Sequence, residues 1–318
     1  MKFLIYSSSD VMDASSNGIA NALERLGHGV SRWQRAQHPR SFPMAPIINC
    51  ANLYKIDCFV FCGGPEVLSQ DIQMLRTNFP KAIFIMWNWD VMTNGDTWAW
   101  FEPLARACDL CIQMDDSKPD EWAGINRIFC HMGIDPAVEK PFQGEITAAD
   151  HAKYDADVAF MGMSYEFGGR KRTIDLVKNW CEQNGKTFKV WGLWTEYLIG
   201  NELAKMIACT KVHLGHEPEG RPANHWSQRV YTILAHGGFY LAKWVEGYEK
   251  EFTRGASLSF WRTEEELIEV LPKWIAADGV RSQITEWASK RVRECKTWDF
   301  RVASVLHQIQ GTLDRRRA

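Results

Sequence analysis

Short apolar runs, almost unbroken by polar residues, recur along this chain, and most are followed by a stretch of helical periodicity. In the first half these runs are "KFLIYSS", "DCFVFCGG", "AIFIMWN" and "DLCIQMD". None shows the inside–outside alternation of a half-exposed strand. A strand apolar on both faces must be covered on both, which is the condition of a parallel sheet flanked by helices. "SNGIANALERLGHGV" reads as such a helix, with Ile19, Leu23 and Leu26 on one face and "LGHG" as its stop. "SQDIQMLRTNFP", capped near Ser69 and stopped before Pro80, and "WFEPLARAC" are further helices. "VSRW" adds a strand, and "RIFCHMG" closes the half with one more.

The alternation pauses at "IDPAVEKPFQGEITAADHAKYDAD", which is rich in proline and acid, lacks strong periodicity and reads as a linker. It then resumes. "DVAFMGM", "TFKVWG", "KVHLGHE", "FYLAKW" and "SLSFWRT" read as strands. "GRKRTIDLVKNWCEQNG", "NELAKMIACT" and "SQRVYTILAHGG" are the helices between them, and three amphipathic helices follow to the C-terminus. The expected fold class is α/β, with two Rossmann-like domains facing across a cleft. The expected division is residues 1–141, joined by 297–318 crossing back, and residues 142–296. Open α/β sheets bind ligands beyond the carboxyl ends of their strands, so those ends are where functional residues are sought.

The net charge of −2 gives no global attraction to nucleic acid or anionic lipid. No apolar run reaches the roughly 18 residues of a membrane span, and the start "MKFLIYSSSD" is too short for a signal segment, so a cytoplasmic protein without a membrane partner is expected. The nine scattered cysteines argue against a disulfide framework. Cys108 and Cys111 lack a second pair at zinc-ligand spacing and read as small hydrophobes. The absence of GxGxxG disfavours a nicotinamide enzyme.

Four stretches carry a family resemblance: "CHMGIDPAVEKPF", "AFMGMSYEFGGRKRTIDLV", "SQRVYTILAHGGFYLAKWVEGYEKEFTRGASLSFWRTEEELIEVL" and "ECKTWDFRVASVL". Together they resemble the donor domain and closing helix of GT-B-fold glycosyltransferases, especially the CgeB-type spore-maturation enzymes and their phage-encoded relatives. The resemblance implies transfer of a sugar from a nucleotide-diphosphate donor, a UDP-sugar, to a hydroxyl acceptor. It implies no metal and no cofactor, and a retaining rather than inverting course. Two alternatives stay open: a sugar-nucleotide epimerase, and a binding protein without chemistry.

On this resemblance the donor diphosphate falls to a helix start at Ser227 and Arg229, where free amides, the dipole and a guanidinium favour an anion. Gly237 and Gly238 let the next strand come close, or are an ordinary helix C-cap. Arg170 and Lys171 in "FGGRKR" form a second phosphate candidate. Gly162, Trp191 and Gly192 stand at strand ends on the same side and complete the donor-side set. Thr232 replaces the glutamate that related enzymes carry in "R-x-F-E", and Glu217 or Glu219 can compensate. Asp90, directly after a buried strand, and His131, near the interdomain joint, are the catalytic candidates. Ser8, Ser9 and Trp89 are placed on the acceptor side. Asp115 and Asp116 read as a helix-entry turn, and His213 and His216 flank "LG" beside the donor region. The acceptor is open. Hydroxymethylated pyrimidine in phage DNA is one candidate, with Arg32, Arg35, His38 and Arg40 as the basic residues that would meet it.

Overall fold

The computed structural model describes residues 1–7, 14–34, 44–62, 67–91, 95–114, 120–163, 168–192 and 195–318. The chain divides into two compact units. The first is Met1–Asp135 with Trp298–Ala318, and the second is Pro136–Thr297. The first boundary therefore falls ahead of residue 141. Segment 136–141 packs with the second unit, where Glu139 accepts a hydrogen bond from Thr232 at 2.7 Å and Pro141 lies beside Gly237.

The first unit is built on a six-stranded sheet of order β2-β1-β3-β4-β5-β6. Its strands are β1 (Lys2–Ser7), β2 (Gly29–Gln34), β3 (Cys58–Cys62), β4 (Ile83–Asn88), β5 (Leu110–Gln113) and β6 (Arg127–Phe129), and every pairing is parallel. Leu4, Tyr6, Phe59, Phe61, Phe84, Met86 and Cys111 form one buried face. Helices α2 (Met44–Tyr54), α3 (Ser69–Asn78) and α4 (Gly95–Ala107) cover it. Helix α2 is absent from the sequence reading. Its proline masks the periodicity, yet Pro46 stands in the first turn, where a missing amide costs nothing, and Ile47 and Ala51 face inward. Cys111 lies in this core, and burial pushes its thiol up to about 12, in keeping with a small hydrophobe.

Helix α1 (Ala14–Arg25) and the last helix, α12 (Trp298–Arg317), pack on each other, α1 also against β1 and α12 against β4. Trp298 is the anchor. It is 1% exposed, stands edge-on to Trp87 with ring centroids 6.3 Å apart, and donates its amide to Ile134 O at 2.9 Å. Arg301 donates to Met132 O at 3.0 Å, and Arg25 forms ion pairs with Asp299 and Asp135. The final helix thus belongs to the first unit, as "ECKTWDFRVASVL" led one to expect.

The second unit carries a five-stranded sheet of order β11-β10-β9-β7-β8, again all parallel. The strands are β7 (Ala156–Met161), β8 (Phe188–Trp191), β9 (Thr210–Leu214), β10 (Tyr240–Lys243) and β11 (Ser259–Trp261). Val158, Phe160, Val212, Leu214, Leu241 and Trp261 meet α6 (Arg170–Gln183), α10 (Glu264–Ala276) and α11 (Asp278–Cys295). Helix α7 (Gly200–Ala208) packs on β9, and α8 (Arg229–Ala235) on β10 and α11. The expected linker contains a short helix, α5 (Ala148–Tyr154). It is too brief to show periodicity, but its capping box is in the sequence. Thr147 Oγ1 accepts from Asp150 N at 3.2 Å, and Asp150 Oδ2 accepts from Thr147 N at 3.0 Å. A single turn, α9 (Tyr248–Glu251), completes the unit. Among the described residues no helix is long and apolar enough to cross a membrane.

Gly18, inside α1, faces Trp298 so closely that an added Cβ would lie 2.0 Å from the indole. Alanine normally favours a helix by about 1 kcal/mol over glycine. Here the clash should win, and Gly18→Ala should destabilise the protein by ~1–3 kcal/mol. Chemical denaturation measures the difference, and a stabilised variant would show that α1 and α12 are not packed in this way.

Candidate functional site

In the second unit the carboxyl ends of the strands bring several polar side chains together. β7 runs into Gly162 and β8 into Gly192, both at positive φ, 134° and 133°. Gly162 N donates to Trp191 O at 2.7 Å, and a Cβ on Gly192 would lie 2.6 Å from Gly162 O. Only glycines permit this approach. The same bareness admits Arg229, since a Cβ on Gly162 would lie 3.1 Å from its Nη2. The guanidinium also lies over the Phe160 ring, 4.9 Å from the centroid, an apolar support that orients it without neutralising it.

His216 lies two residues beyond the end of β9. It is fully buried, and neither ring nitrogen has a hydrogen-bond partner. Its ring centroid is 6.2 Å from that of Trp261, and Lys243 Nζ lies over that indole at 5.6 Å. Burial, reinforced by Lys243, Arg170, Arg229 and Arg172, pushes the imidazole down to about 3, so it is neutral at physiological pH. Arg170 is 4% exposed and donates to Met163 O at 3.2 Å. Carboxylates hold part of this charge. Arg172 pairs with Glu219 at 2.8 Å and Glu264 at 3.0 Å, while Lys243 lies 3.9 Å from Glu219. Arg229 Nη1, Trp261 Nε1 and Trp191 Nε1 are buried without partners. Each unmet buried donor costs about 1–3 kcal/mol, and folded proteins satisfy nearly all of them. This edge is therefore a set of donors and cations that matches a ligand rich in acceptor oxygens.

The sequence-selected residues divide accordingly. Gly162, Arg170, Trp191, Gly192 and Arg229 belong to this edge. Lys171 does not, since it forms an ion pair with Asp175 one turn along the exposed side of α6. The helix start at Ser227 is not a row of free amides: Ser227 N donates to Glu217 Oε1 at 3.0 Å and Arg229 N to Ser227 Oγ at 3.2 Å. The cationic side chain of Arg229, rather than the helix end, is what this element presents. Thr232 faces Glu139, not the strand ends. Gly237 and Gly238 lie at the far end of α8, where β10 begins. A Cβ on Gly238 would lie 2.7 Å from side-chain atoms of Ile207 and Ile233 and 2.9 Å from His213. The pair is thus a helix C-cap and packing corner. His213 sits under that corner, its Nε2 3.2 Å from Ile207 O.

In the first unit Asp90 is exposed beyond β4 and Trp89 is half-buried. His131 is half-buried and edge-on to Phe129 at 4.7 Å. Ser8, Ser9, Arg35, His38, Arg40, Asp115 and Asp116 lie outside the described residues. Arg32 is engaged by Glu24 at 2.7 Å. Sequence reasoning missed Lys243, Arg172 and Trp261. Lys243 and Trp261 are the last residues of β10 and β11, so reading every strand end alike would have found both.

The "Glycosyl transferase-like" family profile matches residues 170–307. No curated protein sequence matches the chain. Among solved structures, Anabaena Alr3699/HepE in complex with UDP and glucose is similar with a TM-score of 0.63 at 12% identity, covering 99% of this chain and 100% of that one. Sucrose-phosphate synthase from Thermosynechococcus elongatus gives 0.68 at 10% identity, over 99% and 100%. The catalytic domain of starch synthase IV from Arabidopsis thaliana, bound to ADP and acarbose, gives 0.68 at 7%, over 100% and 99%. At these identities the likeness is one of fold, and the fold is the two-domain α/β architecture of GT-B glycosyltransferases.

Burial lowers His213 to about 4, His216 to about 3, and His236 as well. All three are depressed below the ordinary value near 6.5, so their contribution to stability is complete above that pH and is lost as pH falls towards 3. Stability should begin to decline just below pH 6.5, before most carboxylates titrate, by at most about 1.4 kcal/mol per pH unit per histidine. Denaturation between pH 7.5 and 5 measures the slope. His213→Gln should flatten it, and an unchanged slope would contradict the neutral, buried state of that ring.

Proposed function

We propose that this protein is a glycosyltransferase that binds a nucleoside-diphosphate sugar, a UDP-sugar, at the carboxyl edge of the second unit's sheet. The observation that carries the proposal is the cluster of Arg229, Arg170 and Lys243 around the uncharged His216, with buried donors left unmet. A diphosphate supplies the missing negative charge and acceptor oxygens. The profile match over residues 170–307 falls on the same unit, and HepE, of like fold, was solved with UDP and glucose.

In the transfer, an acceptor hydroxyl forms a bond to the anomeric carbon as the bond from that carbon to the phosphate oxygen breaks. Negative charge grows on the departing diphosphate. Arg229, fixed by Phe160 and the bare backbone of Gly162, is set to receive it, with Arg170 and Lys243 adding to the field. The proton of the acceptor hydroxyl leaves to a base, for which Asp90 and His131 remain the candidates. Charge stabilisation by this cation set supports a metal-independent reaction, and the family resemblance favours retention.

Arg229→Ala should weaken UDP binding by ~1–3 kcal/mol, the scale of a lost charge-assisted hydrogen bond, whereas Lys171→Ala should leave it unchanged. Titration calorimetry tests both. Equal affinity in wild type and Arg229→Ala would refute this placement of the donor. Turnover of the sugar nucleotide without any acceptor would favour an epimerase instead.

A further inference from the structure

The amino edge of the second unit's sheet is the end away from Gly162, Gly192 and Arg229, and it carries chemistry of its own. β7 starts at Ala156 and β9 at Thr210, and these two residues are partners in register. Ala156 N donates to Cys209 O at 3.3 Å, so Asp155 and Cys209 stand side by side just ahead of the paired strands. Asp155 is also the C-cap of α5, its amide donating to His151 O at 3.0 Å. His151 stands one helical turn back, and its Nδ1 lies 2.9 Å from Asp155 Oδ1. The imidazole nitrogen, the carboxylate oxygen and the Cys209 sulfur all lie within 4.8 Å of one another. Among the described residues this is the one place where three histidine, cysteine or carboxylate side chains converge in this way.

An exposed ion pair four residues apart on a helix contributes little by itself and does not call for a thiol beside it. One nitrogen, one oxygen and one sulfur together are instead a donor set for zinc. Magnesium and calcium take oxygen ligands and leave thiolate and imidazole aside. A tetrahedral zinc ion holds such atoms roughly 3.3–3.7 Å apart, so small side-chain rotations bring all three to bonding distance. His151 and Asp155 are exposed and free to make them, Cys209 is half-buried, and the fourth position falls to water. One thiolate and one carboxylate balance the two positive charges of the ion. The lysines nearby are engaged elsewhere. Lys153 pairs with Glu196 at 2.7 Å, Lys205 with Asp150 at 3.0 Å and Lys211 with Asp157 at 2.8 Å, while Lys189 donates to Lys153 O at 2.6 Å. Among the described residues no lysine or arginine pairs with Asp155, whose partner is His151.

We propose that His151, Asp155 and Cys209 form a zinc site that ties α5 to the amino edge of the second sheet. The thiol proton passes to water as the sulfur–zinc bond forms. Strand β7, six residues and about 20 Å long, separates this site from the Arg229 cluster. The ion therefore staples the fold and takes no part in sugar transfer, and the proposal does not rest on the donor reading.

Cobalt titration of the full chain, after a chelator has removed any metal, tests the proposal, because thiolate-bound cobalt absorbs in the near ultraviolet through sulfur-to-metal charge transfer. One cobalt ion per chain should bind with that band, zinc should displace it, and added zinc should raise the melting temperature. Cys209→Ser should abolish the band. Cys209→Ser and His151→Gln should each weaken zinc binding roughly tenfold or more and reduce the rise in melting temperature. Cys295→Ser, at another half-exposed cysteine, should change none of these. Absence of the band from the wild-type protein overturns the proposal. So does a band that survives Cys209→Ser. Should the serine variant fail to fold, His151→Gln carries the test, and zinc affinity unaltered in that folded variant overturns the proposal as well.

Discussion

The second unit's strand ends depend on one close approach. Gly162 and Gly192 have no side chains, so β7 and β8 run out against each other and the Arg229 guanidinium takes the space that a side chain on Gly162 would fill. Phe160 supports the guanidinium from one side. A side chain at either glycine would displace the cation or part the strands. Arg170 and Lys243 then bring positive charge to His216, and burial keeps the imidazole itself uncharged. This arrangement has a cost in the absence of a ligand, because like charges gather where water is scarce. An anion rich in acceptor oxygens relieves it.

The two sheets share a topology class but end differently. The second ends in cations and indole or guanidinium donors, the first in the neutral amides of Asn88 and Gln113. The donors and cations of the second edge suit the charged, oxygen-rich ligand proposed for it. The fold supplies the edges, and the few residues after each strand supply the chemistry.

Much of this was legible in the sequence, because burial of a parallel strand leaves its mark on every residue. "DVAFMGM" and "AIFIMWN" are strands apolar on both faces, and the structure places them in the interior of their sheets. Arg229 could be selected because a charged residue opening an apolar helix is conspicuous. The glycine pair after that helix was equally conspicuous but ambiguous, since a C-cap and a ligand loop use the same residue for the same conformational reason. Position relative to the sheet separates them, and that is a tertiary fact. Helices α2 and α5 escaped notice because a proline in the first and brevity in the second erase periodicity, which needs several turns to show. His151, Asp155 and Cys209 escaped because Cys209 is far from the other two in sequence and meets them only once β7 and β9 pair.

The central claim is that a nucleoside diphosphate is held by Arg229 and its neighbours at the second unit's strand ends. A crystal structure of the full chain grown with UDP tests it most directly. The account predicts diphosphate density within hydrogen-bonding reach of Arg229, with Arg170 or Lys243 beside it and His216 or Trp261 meeting an oxygen. Ordered UDP elsewhere, with Arg229 untouched, would contradict it.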